Sequence, residues 1–226
     1  MTLRLPDSKS PVLTDGRRIA PSAERNLAPI LASLGRHASA SGIALELASG
    51  TGQQVAAFAA ALPGLHWHPT DVNPDNLGSI AAWRHDAACP NLGPPALLDA
   101  GCAGWGAGRD VSLVLAVNLL HLIPQAAARV VVAEAAAALA PGGVLMIYGP
   151  FLRDGRATSD GDIAFDASLR AQDPRTGYKD QAEVCGWMQA AGLRTLAEEM
   201  PANNLMLVAF RDQSGSCPSS SDSPVP

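Results

Sequence analysis

The run Glu46-Leu-Ala-Ser-Gly50-Thr-Gly52-Gln-Gln54 joins a short apolar stretch, Ile43 to Ala48, to a helical pattern that starts at Gln53. A strand ending in small residues and giving way at once to a helix is the opening of a β-α-β unit. Glycines at 50 and 52 let the backbone take left-handed angles and approach a ligand closely. Backbone N–H groups ahead of a helix N-terminus then offer ready partners to a phosphate or another polar group.

On both sides of this loop, helical and strand patterns alternate. Leu27, Ile30, Leu31 and Leu34 recur at helical spacing and predict a helix over Ala23–His37. After the loop we expect a helix to Leu62, a strand over Leu65–Thr70 ended by Asp71, and a helix opened by Pro74 that runs through Ile80 and Trp83. A brief strand, Ala96–Leu98, precedes Asp99. Val111–Val117 is continuously aliphatic, as a strand buried on both faces must be. An alanine-rich helix from Gln125 to Leu139 is expected to stop at Pro141-Gly-Gly143, with a fifth strand over Val144–Tyr148. Residues 151–180 are polar, with one amphipathic stretch, Ile163–Leu169. A helix over Gln181–Ala190 and two strands, Leu193–Glu199 and Leu205–Phe210, complete the pattern. The five residues between those strands suit a hairpin. The expected fold is α/β: a mostly parallel sheet with a C-terminal antiparallel hairpin. By analogy, that is the seven-stranded plan of the Rossmann-like class I methyltransferases.

A chain of 226 residues fits one domain, here 19–211, between a flexible arm (1–18) and a Ser/Pro-rich disordered tail (212–226). Apolar residues make up 47% and aromatics 4%, so the core must be packed by small and aliphatic side chains. The net charge of −5, with no Lys/Arg run, argues against nucleic acid as a partner. No apolar run is long enough to span a bilayer, and the N-terminus carries no apolar signal core. Cysteines 89, 102, 185 and 217 form no CxxC pair, which points to reduced thiols in a cytoplasmic protein. His66 and His68 share a strand face but have no third ligand, so no metal is expected.

Three acids help to choose the ligand of the glycine loop. A dinucleotide fingerprint wants a third glycine at position 55, where this chain has Val55, and no Gly-Lys-Ser/Thr marks a P-loop. Glu46 lies within the strand before the loop, a common place for an acid in S-adenosylmethionine proteins. Asp71, at the end of the next strand, can accept both ribose hydroxyls. Asp99, at the end of the third, stands where an acid can meet the adenine amine. Each acid alone is equally an ordinary helix-capping or surface aspartate or glutamate. Their succession at three strand ends favours S-adenosylmethionine over a nicotinamide cofactor.

From Ala20 to Phe210 the chain resembles a methyltransferase-like family known as domain of unknown function 938. The resemblance is carried by Ala20-Pro-Ser-Ala-Glu-Arg-Asn26, Ala48-Ser-Gly-Thr-Gly-Gln53, Trp67 with Pro69 and Asp71, and Ser79-Ile80 with Trp83. It continues through Asn118 with His121, Tyr148-Gly-Pro-Phe151, Phe165-Asp-Ala-Ser-Leu-Arg170, Asp173-Pro174 and Met200-Pro-Ala-Asn-Asn-Leu205. Leu27 and Gln54 depart from it, where lysine and histidine are usual. The resemblance implies S-adenosylmethionine binding and leaves the acceptor open.

For methyl transfer the protein must align acceptor, methyl and sulfur and keep water out. Cofactor contacts are expected from Arg25, Glu46, Ala48, Gly50, Gly52, Asp71, Asp99 and Asn118, with Arg25 a candidate for the methionine carboxylate. His121 is a candidate general base, although the favoured reading is a histidine serving packing or hydrogen bonding. Tyr148 is a candidate for positioning the reactants. Phe151, Phe165, Asp166, Arg170, Asn203 and Asn204 are candidates for binding a small-molecule substrate with an oxygen, nitrogen or sulfur acceptor. Asp166 and Arg170 lie four residues apart and can instead form a simple surface pair, and asparagines are ordinary turn residues. The rival reading from another class is a cofactor-binding partner or sensor without turnover. The oligomeric state is left open.

Overall fold

The computed structural model describes residues 10–213. Residues 1–9 of the expected arm and 214–226 of the expected tail lie outside the described residues. Seven strands form one sheet: β1 Gly42–Leu47, β2 Leu65–Asp71, β3 Ala96–Leu97, β4 Val111–Val117, β5 Leu139–Pro150, β6 Leu193–Glu199 and β7 Asn204–Arg211. Their order is β3-β2-β1-β4-β5-β7-β6. β1 to β5 pair in parallel, and β7 runs antiparallel to both β5 and β6. Among the described residues the helices are α1 Pro21–His37, α2 Gln53–Ala61, α3 Pro74–Ala87, α4 Gln125–Ala138, α5 Asp160–Gln172 and α6 Gln181–Ala190.

The aliphatic strands are buried on both faces because successive side chains alternate. Leu113, Leu115, Met146 and Tyr148 pack with Ile30, Leu34, Val55, Phe58 and Ile80 of α1, α2 and α3. Val114, Ala116, Leu145 and Ile147 pack with Val131, Ala135, Val184 and Met188 of α4 and α6. No helix among the described residues is long and apolar enough to cross a membrane.

Two segments differ from expectation. β5 begins at Leu139, and Pro141-Gly-Gly143 lies within it instead of ahead of it. Leu139 pairs with Val111 before a register shift, and a Cβ on Gly143 would come within 2.9 Å of the Val111 carbonyl oxygen. Glycine is required there because the two backbones nearly touch. Residues 10–18, expected to be loose, lie against α3. The Arg18 N–H donates to Ser79 Oγ (2.9 Å), and Trp83 Nε1 donates to the Arg18 carbonyl (2.9 Å).

The strand order reverses between β1 and β4. Neighbouring crossovers diverge there to opposite faces and leave a crevice at the carboxyl ends of the strands. α5 belongs to neither helical layer; only Leu169 of it is fully buried.

Candidate functional site

The glycine loop opens onto that crevice. Ala48, Gly50 and Gly52 have φ of 53°, 58° and 86°. The two glycines do different jobs. A Cβ at Gly52 would stand 2.7 Å from the Cα of Ile80, so its bareness lets α2 approach α3. A Cβ at Gly50 would meet nothing nearer than 4.0 Å, so Gly50 faces open space and supplies a turn and an exposed backbone.

Asp71 holds this turn. Its Oδ2 accepts the Gly50 N–H and its Oδ1 the Asn73 N–H, both at 2.8 Å. The carboxylate is 4% exposed and keeps lone pairs beyond these two bonds. Glu46 stands on the α1–α3 face of β1, in register with Leu115 of β4, and is 2% exposed. Its Oε2 and the Ser49 Oγ have no partner among the described residues. Burial pushes the Glu46 carboxyl up to about 7; the Asp71 charge adds to this and the Ser49 hydroxyl opposes it. Asp99 is exposed, accepting the Gly101 N–H at 2.9 Å and the Cys102 thiol at 3.3 Å, so it caps its own turn.

Asn118 follows β4 with φ of 54°, and its N–H donates to the Tyr148 carbonyl at 2.8 Å. Its Oδ1 and the His121 Nδ1 flank Gly149, 3.6 and 3.7 Å from where a Cβ would stand. His121 is 6% exposed and lies edge-on to Phe165 and Tyr178, with centroids 5.9 and 6.0 Å away. Burial, reinforced by Lys179, lowers its pKa to about 3, with Asp166 opposing. This environment resists the imidazolium that a general base must become. Tyr148 is 1% exposed and its hydroxyl has no hydrogen-bond partner among the described residues. Burial raises its pKa to about 12 against the opposing influence of Asn204 and Arg25.

The other expected substrate contacts divide. Phe151 is 2% exposed in the core on the α4–α6 face, opposite the side on which Tyr148 lies. Asp166 and Arg170 hold a loop: Asp166 Oδ1 accepts the Tyr178 N–H (2.6 Å), while Arg170 donates to Asp166 (2.8 Å) and to the Tyr178 carbonyl (3.1 Å). Gly177, with φ of 106°, has no room for a Cβ beneath that pair. Asn203 donates to Asp162 Oδ2 at 3.1 Å, and Asn204 donates to the Pro201 carbonyl at 3.1 Å.

Sequence reasoning missed the other half of this arrangement. Asp162 accepts from Ser159 (2.7 Å), Tyr178 (3.2 Å) and Asn203 (3.1 Å), joining α5, its flanking loop and the β6–β7 hairpin. Lys179, 5% exposed, donates to the carbonyls of Ile123 and Gly177 at 2.7 Å each. These residues sit in a polar stretch with no periodicity to mark them. The departure at Gln54 also has a structural use: its amide donates to the Ala23 carbonyl at 3.2 Å and ties α2 to α1.

The model of a family described as "Protein of unknown function (DUF938)" matches residues 17–211. Among solved structures, the chain is similar to an O-methyltransferase family protein from Burkholderia thailandensis (TM-score 0.74, 20% identity, 86% of this chain and 56% of that one). It is similar to human N-acetylserotonin methyltransferase in complex with S-adenosylmethionine (TM-score 0.64, 14% identity, 81% and 53%). A Bacillus halodurans protein with a provisional methyltransferase name is covered almost end to end (TM-score 0.63, 15% identity, 81% and 99%). The chain thus spans little more than half the length of the first two. The likeness shows the fold: the Rossmann-like α/β sheet with its C-terminal antiparallel strands.

Proposed function

The chain belongs to the DUF938 family, and from that premise we propose that it is an S-adenosylmethionine-dependent methyltransferase acting on a small molecule. The observation that carries the reading is Asp71, which braces the glycine loop through Gly50 and keeps lone pairs beyond its two bonds to the backbone.

The residues present suit this cofactor. Gly50 and Ala48 give the methionine portion a bare backbone, Asp71 is placed to accept ribose hydroxyls, and Glu46 with Ser49 offers polar atoms that lack protein partners. Asp99 and Asn118 are the proposed contacts at the adenine end and at β4. S-adenosylmethionine supplies, when bound, a methyl group already activated by its sulfonium. The protein's own task is alignment and exclusion of water.

With His121 at about 3 and Tyr148 at about 12, neither side chain is a ready proton acceptor at neutral pH. Both act as positioning groups in this reading, and the acceptor arrives already nucleophilic. Phe165 and Tyr178 close the acceptor side, with Asp166 and Arg170 holding their loop. The net charge of −5 suits a small molecule better than nucleic acid.

Isothermal titration tests the reading. Wild type is expected to bind S-adenosylmethionine at one site. Asp71→Asn should bind it at least ~10-fold more weakly, through loss of charge-assisted bonds contributing about 1.5–3 kcal/mol each. Failure of the wild type to bind S-adenosylmethionine would overturn the reading.

A further inference from the structure

We propose that Arg25, Tyr148 and Asn204 form a subsite for a carboxylate of the methyl acceptor. The inference deepens the methyltransferase reading and rests on it.

Strand alternation first places two of the three together. β5 pairs with β7 so that Tyr148 faces Met206 and Pro150 faces Asn204. Tyr148 and Met206 share the α1–α3 face, and Asn204, two residues from Met206, lies on that face too. Tyr148 and Asn204 are therefore diagonal neighbours, with Cα atoms about 7–8 Å apart.

α1 brings the third. Its start is held by Gln53 and Gln54 at the carboxyl end of β1 and its last turn meets Glu198 and Phe210, so it runs in the direction of β7, with the His37 ring 5.9 Å from Phe210. From Phe210 back to Asn204 is about 20 Å at ~3.3 Å per residue. From His37 back to Arg25 is about 18 Å at ~1.5 Å per residue. The two counts carry Arg25 and Asn204 to the same end of the sheet, where β7 begins. Both Arg25 and Asn204 lie close enough to Tyr148 to favour negative charge on its oxygen.

The available groups are mainly donors. The Tyr148 hydroxyl is buried without a partner among the described residues, and Arg25 makes no ion pair there. The nearby carboxylate of Asp162 already accepts from Ser159, Tyr178 and Asn203. A buried phenol with no acceptor and a solvent-facing guanidinium with no ion pair among the described residues suit an anion with two oxygens. The cofactor's own methionine carboxylate is the other source of that chemistry. The start of α1 is tied to α2 behind that loop, so Arg25 by itself does not separate the two; we commit to the acceptor because Tyr148 and Asn204 stand on β5 and β7, two and three strands from β1, about 10 and 14 Å at ~4.8 Å per spacing.

The test uses benzoate, with neutral benzamide as its control, titrated into the full chain saturated with S-adenosylhomocysteine. Benzoate is expected to bind and benzamide not. Arg25→Gln should weaken benzoate at least ~10-fold, and Tyr148→Phe about threefold or more. Arg25→Gln should leave the affinities for S-adenosylhomocysteine and for methylthioadenosine, which lacks the carboxylate, unchanged. Weakened S-adenosylhomocysteine with unchanged methylthioadenosine would assign Arg25 to the cofactor and overturn the subsite. So would equal binding of benzoate and benzamide, or benzoate binding indifferent to Arg25. Arg25 is exposed, so its variant remains informative if Tyr148→Phe misfolds. If the wild type binds no S-adenosylhomocysteine, the methyltransferase reading falls and the subsite falls with it; normal binding with indifferent benzoate removes the subsite alone.

Discussion

Glu46 carries a cost that its position alone creates. A carboxyl on the buried end of a strand is separated from water, and its pKa rises from 4.5 to about 7. Between those values the unfolded chain holds fewer protons than the folded one, so stability falls as pH rises through this window. The loss is complete above the folded pKa and absent below 4.5. Glu46→Gln removes the titration. In the cofactor-free protein it should raise the unfolding free energy by up to about 3 kcal/mol at pH 8 and change little below pH 4.5. Urea unfolding across that range checks it; a variant no more stable than wild type at pH 8 would refute it. The acid was evident as a residue within a strand pattern. Its missing partner was not, because burial depends on α1 and α2 closing over it.

At the scale of elements, the turn between β1 and α2 assigns its glycines unequal burdens. Gly52 must both hold φ of 86° and let Ile80 approach to 2.7 Å from its absent Cβ. Gly50→Ala should cost only about 1 kcal/mol, the strain of a left-handed residue facing open space. Gly52→Ala adds overpacking against the backbone of α3 and should cost roughly 2–4 kcal/mol. Thermal unfolding of the two variants reads the difference, and equal losses would show that the α2–α3 approach is not tight. The motif was legible as a glycine turn. Which glycine serves ligand approach and which serves packing required α3, some 28 residues further along the chain, counted from Gly52 to Ile80.

Across the whole molecule, α1 is bound to the opposite end of the sequence. Glu198 of β6 accepts Ser33 Oγ (2.7 Å), His37 Nε2 (2.7 Å) and Arg36 (2.8 Å). Burial opposes ionisation of this carboxyl, but the bonds from Arg36, His37 and Ser33 win and hold it at about 2. A depressed acid contributes stability above its unfolded pKa near 4.5, and that contribution disappears as pH falls towards 2. With the Arg36 partner half exposed and screened by solvent, Glu198→Gln should cost about 1–2 kcal/mol at pH 7 and progressively less as pH drops to about 2. A pH-independent cost in guanidinium unfolding would assign the effect to shape and not to charge. Since α1 also carries Arg25, the variant should loosen amide protection in α1 before that of β4.

Sequence by itself determined the periodic parts of this protein: aliphatic strands, amphipathic helices, the glycine turn and the acids at strand ends. These follow from local chemistry repeating at intervals of two or 3.6 residues. The same pattern language misplaced the start of β5, because Gly143 is set by contact with β4 and not by its neighbours in the chain. It was silent on the clasp of Asp162, Tyr178 and Asn203, which joins three separate segments of polar residues. Tertiary structure alone decided which polar groups were buried, and therefore which carboxyl, imidazole and phenol titrate far from their usual ranges. Burial and partnership are properties of what the fold brings from elsewhere, and no local spacing encodes them.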